Sequence, residues 1–479
     1  MKCKSILIWT CLLLAINGTL TGQMKRIVVN KANIVVNRNQ GSSSSNNPSS
    51  CVVDTITLTS QAQIDNFSTN YPACTTPKYL FIDGTGATPA ITNLTGLSTL
   101  NEIKNKLRIT HTSLTNLSPL NNLVLIGDTL DVEHNPLLTQ LGLVNLDSVG
   151  ALILIDLPVF NSLNGFSNNF SNIGSINIDS TALTNLNGLS GIINITQGGF
   201  YGLRIAHTPV TNLNGLANLS SINGYMILES NPDITSLGFN SLTSSAGFLF
   251  NDMPNLISIA GLSNHLTNTG VGTFWMINTG LTNLVGMDSL TSASNFYIWS
   301  NPNLTSLHGL ERLSGNVGGG ISIYDNQLLN NVSALSNITS IDGSTLEIHA
   351  NPALTNLVGV GNITTIGHGL WINDNDGLTS LADLNSNLDI QNNGNEDSVR
   401  INDNAQLALC SFGPLCNYLT IDGRAEISNN ATGCSTISEM LASCTAACAA
   451  GTERTWNGNN SSDWDDANNW TPSGVPGTC

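Results

Sequence analysis

The sequence predicts an all-β protein: a parallel β-solenoid of about 14 coils with short capping helices at both ends. Three observations predict it. An apolar anchor recurs at Ile91, Leu114, Leu138, Phe160, Leu183, Val210, Ile234, Leu256, Leu281, Leu304, Leu329, Leu354, Leu378 and Leu407, on average about 24 residues apart. Before most anchors stands a short run with apolar residues two apart, as in Leu107/Ile109, Leu130/Val132, Leu203/Ile205 and Leu370/Ile372. Such alternation puts those two side chains inward and their neighbours outward. Finally, no cysteine falls between residues 75 and 409, while cysteines flank that stretch on both sides.

Each coil holds too few apolar residues to close a core, so stacking is required. With strands about 4.8 Å apart, such a stack is on the order of 65 Å long. Charged residues make up only 10% of the 479, and the formal net charge is −17, which argues against nucleic-acid binding and against a basic membrane-surface patch. Gly, Asn, Ser and Thr are abundant and suit tight turns and short strands.

Taken in order, Lys2, Lys4 and the apolar run from Ile6 to Ile16 predict a secretory signal peptide over residues 1–22, the run being too short to span a bilayer. Residues 23–50, rich in Ser and Asn near their end, predict a disordered linker. An N-terminal cap and first coil occupy 51–90, with a strand through Val53, Ile56 and Leu58, a short helix over Ser60–Phe67 and a strand at Leu80–Ile82. The repeat solenoid follows over 91–409.

Two turn forms follow the strands. The long form is Asn-Pro, at Asn135, Asn231, Asn301 and Asn351, with Asn326, Asn375 and Asn404 in the same column. The short form drops one residue, as in His111-Thr112-Ser113 and Asn278-Thr279-Gly280. Asn and Thr suit backbone groups freed where a strand bends, and a stacked Asn column can bond along the stack. After the anchors, Gly-Leu recurs, as at Gly215-Leu216 and Gly309-Leu310.

A Cys-rich cap is expected over 410–448, with a helix over Ser435–Cys444 opened by a capping box of Thr436 and Glu439. In an exported chain, Cys51, Cys74, Cys410, Cys416, Cys434, Cys444 and Cys448 are disulfide candidates with the pairing open. Zinc is disfavoured, since no tight Cys-x-x-Cys and no nearby His occur.

The pattern Leu-x-Ile-x-x-Asn-Pro-x-Leu-Thr-x-Leu-x-Gly-Leu between cysteine caps resembles the receptor L-domain family over about residues 51–448. That resemblance implies a right-handed parallel β-helix related to leucine-rich repeats, with ligand-binding or cell-surface roles and no catalysis. The overlap with the leucine-rich-repeat core makes a horseshoe the alternative architecture. Residues 449–479, with Trp456, Trp464 and Trp470, are similar to the opening of a further β-module found in secreted proteins of Bacteroidetes-type bacteria, cut short here.

No nucleophile elbow, phosphate-binding Gly loop or His-Glu-x-x-His occurs, no focal carboxylate pair stands out, and no cofactor is expected. His111, His134 and Asp156 share a column on successive coils and offer metal-ligating chemistry, but the column continues as Ser180, His207, Ser230 and Asp252, as ordinary turn polarity gives. Asp374 and Asp376, in Asn373-Asp374-Asn375-Asp376-Gly377, mimic a calcium-loop opening without its distal Glu. No metal site is assigned.

The favoured ligand-binding set is Trp275, Tyr297, Trp299, Tyr324 and Trp371, all at outward strand positions, with Glu347 and His349 among them. The sequence thus predicts a secreted or cell-surface, non-enzymatic protein that binds an extracellular glycan or surface protein, with no membrane span. The alternatives are a spacer presenting a further C-terminal module and a polysaccharide-active β-helix.

Overall fold

A computed structural model describes residues 51–449 apart from 52, 165, 167–169, 199–200, 263–265, 267–271, 392–398 and 421–423, and beyond them 455–456 and 469–471. The expected signal peptide and linker, and most of the expected C-terminal module, lie outside the described residues. So do the side chain of Cys448 and all of Cys479.

The described chain is nearly all-β, a parallel solenoid of about 15 turns. Each turn contributes a strand to a 19-stranded sheet running from Thr55–Leu58 through Lys106–Thr110, Thr273–Thr279 and Thr345–His349 to Ala425–Ser428, and three turns add a second, two-residue strand at Glu102–Ile103, Asn172–Ile173 and Asn194–Ile195. Every strand-to-strand pairing in it is parallel, each turn bonding to the one before and after. A second face carries a 4-stranded sheet of Gly315–Val317, Ile338–Ile341, Thr365–Ile366 and Asp389–Ile390. The repeat forms these strands because each offers two inward apolar side chains. Leu107 and Ile109, Leu130 and Val132, and Leu370 and Ile372 are all fully buried, and every anchor from Ile91 to Leu407 joins the same continuous core.

The turn columns explain the polar residues. Asn301, Asn326, Asn351, Asn375 and Asn404 are buried, and each side-chain Oδ1 accepts the backbone N–H of the preceding turn's column residue at 3.0–3.1 Å. Each Nδ2 donates to a strand carbonyl of the preceding turn, as from Asn351 to Ile323 O at 2.9 Å. Threonine fills the column in the short form. Thr112, Thr208 and Thr279 donate both N–H and Oγ1–H to Asn135, Asn231 and Asn301. The expected bonding along the stack is thereby realised.

The residue just before this column turns left-handed on every one of these coils. His111, His134, Asp156, Ser180, His207, Ser230 and Asp252 have φ between 50 and 55°. This region is costly for most side chains and best tolerated by short polar ones. Several Gly-Leu pairs fall on 3₁₀ turns, as at Asn187–Leu189 and Asn214–Leu216. There a Cβ on Gly188 or Gly215 would overlap the backbone of the preceding turn, so only glycine fits.

The caps differ from expectation in detail. The N-terminal helix is two short ones, Gln61–Asp65 and Phe67–Asn70, which bury Ile64 and Phe67 over the open end. Asn66 interrupts the single helix expected from Ser60 to Phe67, serving as C-cap of the first and N-cap of the second. At the far end the repeat runs one coil beyond the last anchor, through Ala425–Ser428 and Asn430. A helix at Gly413–Thr420, not expected from the sequence, precedes it. The closing helix is Ile437–Ala449, longer than Ser435–Cys444. Half of the expected capping box is present: Glu439 N donates to Thr436 Oγ1, while Glu439 Oε2 accepts the N–H groups of Ser435 and Gly433, at 3.0 and 2.9 Å, in place of that of Thr436. Disulfides join Cys51 to Cys74, Cys410 to Cys434 and Cys416 to Cys444.

Candidate functional site

Strand alternation leaves two outward columns on the large sheet. One runs Leu249, Trp275, Tyr297, Ser322, Glu347, Trp371, Arg400, and the other Asn251, Ile277, Trp299, Tyr324, His349, Asn373. All five predicted aromatic residues therefore face outward, while their neighbours Phe274, Phe296, Ile298 and Ile323 enter the core. A ladder in strict register brings successive outward rings within contact.

The rings form a row. Trp275 stacks on Tyr297 at 5.8 Å, Tyr297 meets Trp299 edge-on at 5.3 Å, and Trp299 meets Tyr324 at 6.5 Å. Tyr324 then packs edge-on against His349 at 4.9 Å. Trp275 is only 6% exposed and the outward Leu249 and Ile277 are also buried, so the accessible part of the row begins at Tyr297 and includes Tyr324, 38% exposed. Trp371 stands beyond Glu347 and packs under the Arg400 guanidinium, 4.6 Å from its ring.

Hydrogen bonds fix the polar groups among the rings. Trp299 Nε1 donates to Ser322 Oγ at 2.8 Å, and Ser322 Oγ donates to Glu347 Oε2 at 2.6 Å. Glu347 Oε1 lies 3.8 Å from His349 Nδ1, and Asp374 Oδ2 lies 2.7 Å from His349 Nε2. The Glu347 carboxylate first, then Asp374, hold the His349 imidazole above its ordinary pKa against the opposing effect of burial. Burial, helped by Glu347, raises the Tyr297 phenol. The indole N–H groups of Trp275 and Trp371 are buried without an acceptor among the described residues.

Because the folded chain raises the His349 pKa, protonation favours the native state: its contribution is whole below about 6.5, the free imidazole value, and is lost as pH rises through the folded value. His349→Gln is therefore expected to lower the urea midpoint more at about pH 5.5 than at about pH 8.5. An equal or inverted difference would show that the two carboxylates do not act on this ring.

The other candidates lie in the turn columns. His111 and His134 lie in the left-handed column with their rings 5.0 Å apart, and His134 Nδ1 pairs with Asp156 Oδ2 at 2.8 Å. Among the described residues no cluster of three His, Cys, Asp or Glu side chains is placed to hold a metal ion. In the calcium-like stretch, Asn375 is committed to the buried ladder, Asp374 pairs with His349, and Asp376 is exposed.

Sequence reasoning missed Tyr225, Ser322 and Arg400. Tyr225 lies one outward position earlier and reaches Trp275 at 6.4 Å, its ring passing where a Cβ on Gly247 would stand. The available signal was that glycine, directly opposite Tyr225 in the next strand.

Fold and outer face together define a leucine-rich parallel β-solenoid with an aromatic surface. No protein-family model and no curated protein matches the sequence. Among solved structures the chain is similar to an internalin from Listeria monocytogenes, at 12% identity over 67% of this chain and 83% of that one, with TM-score 0.32. Among the described residues no helix is long and apolar enough to cross a membrane.

Proposed function

We propose that this is a non-enzymatic extracellular or cell-surface protein that binds a glycan or surface protein through the face from Tyr297 to Trp371. One observation carries the reading: outward rings in a row from Tyr297 through Trp299 to Tyr324, with Trp299 hydrogen-bonded to Ser322, stand on a ladder where alternation alone requires only soluble side chains. Aromatic rings held in place supply contact area at little entropic cost and dominate binding surfaces. Disulfides at both caps support an oxidising environment. The carboxylates near the rings, Glu347 and Asp374, are engaged by Ser322 and His349, which favours a recognition surface over a hydrolytic pair.

Trp299→Ala and Trp371→Ala in one chain should leave far-UV circular dichroism unchanged, since both side chains point away from the core. On arrays of extracellular glycans and surface proteins, the same variant should lose binding at least about tenfold. Wild-type binding that survives both changes would remove this face from the reading.

A further inference from the structure

We propose that a concavity at the N-terminal end of the same outer face is a second ligand site, separate from the tryptophan face, and that it takes a single neutral, hydroxyl-rich sugar ring. The cavity has a volume of about 300 Å³ and lies over the strands Tyr79–Asp83 and Lys106–Thr110. That volume is at the low end of the ~300–1,000 Å³ of ligand sites, which suits one ring better than an extended chain.

Phe81 supplies an apolar surface. It faces outward in register between Thr57 and Arg108, and it is half-buried. Its ring lies 6.2 Å from that of Tyr79, one column away. An aromatic ring in a polar recess can cover the apolar face of a saccharide while the rim bonds its hydroxyls.

The rim carries both signs, and its cations are already paired. Lys106 Nζ meets Asp131 Oδ2 at 2.6 Å, and Arg108 Nη2 meets Glu133 Oε2 at 2.8 Å. Two cations therefore face Asp131, Glu133 and Asp83, so there is no positive excess to hold an anion. Asp83 is kept ionised by Thr85, whose hydroxyl and N–H both donate to Oδ1, at 2.6 and 2.9 Å. Both bonds fall on Oδ1 and leave Oδ2 to accept from a ligand hydroxyl. Thr110 Oγ1 is fixed 2.8 Å from His111 Nδ1 on the neighbouring wall. Mixed donors and acceptors around an aromatic ring fit vicinal hydroxyls, each of which both donates and accepts.

The test titrates the full chain with the methyl glycosides of glucose, galactose, mannose and N-acetylglucosamine, and with galacturonate as an anionic probe, by saturation-transfer NMR and calorimetry. At least one neutral glycoside should bind, more tightly than galacturonate. Phe81→Ala, and Phe81→Leu with its retained apolar bulk, should weaken that binding at least about tenfold. Asp83→Asn should weaken it as well, while Trp299→Ala should leave it unchanged. Circular dichroism checks that each variant is folded. The proposal is overturned if no neutral glycoside binds, if galacturonate binds better, or if folded Phe81 variants bind as the wild type does. Loss of binding on Trp299→Ala alone would assign the ligand to the other face and also overturn it.

Discussion

Asn351→Ala is expected to destabilise the chain by about 3–5 kcal/mol, read as a fall in the urea midpoint by far-UV circular dichroism. The side chain is fully buried and serves three backbone groups. Its Nδ2 donates to Ile323 O and His349 O, each at 2.9 Å, and its Oδ1 accepts Asn326 N–H at 3.1 Å. Alanine leaves the Asn326 N–H without this acceptor and removes one donor from each of the two carbonyls, His349 O keeping the Asp325 N–H. Asn351→Asp should be no milder, because the second carboxylate oxygen then faces two carbonyl oxygens. A loss below about 1 kcal/mol for both variants would mean that the ladder is incidental to stability.

Gly309→Ala is expected to cost about 3 kcal/mol or more, or to prevent folding. Gly309 has φ of 112°, outside the range an L-residue adopts without strain. A methyl group there would overlap the Leu284 carbonyl and the Val285 nitrogen of the preceding turn. Those atoms are backbone and cannot rotate away. Gly318→Ala is the matched control, since nothing lies within 4 Å of the Cβ it would add. Thermal unfolding should separate the two variants sharply; equal midpoints would refute the close-approach account.

The fold was legible because every turn repeats the same physical demand. Leu346 and Ile348 point inward, Asn351 ties the turn, Leu354 anchors the next edge, and each demand restricts the residue type. The last coil was not legible, since its strand offers only Ile427 as a well-buried inward residue and no anchor follows. The outward direction of Trp299 and Trp371 could be read from alternation. What alternation cannot supply is how side chains meet across turns. Ser322 resembles any polar outward residue until the stack places it between Trp299 and Glu347. Tyr225 reaches Trp275 across an intervening strand, a contact set by the small size of Gly247 and by nothing local to Tyr225. The left-handed column was visible as a run of polar residues, but its cause, a backbone angle shared by His111, Asp156 and Ser230, was not.

The asparagine ladder is directional. From Asn301 to Asn404 each N–H donates to the asparagine of the winding synthesised after it, ending on Asn430, which donates to Cys434 O in the closing segment. A chain made or exported N-terminus first thus always carries a newest winding that is incomplete until its successor arrives. Asn430 and the segment it grips act as the keystone, and a protease cut there should let the stack fray backwards, one winding at a time.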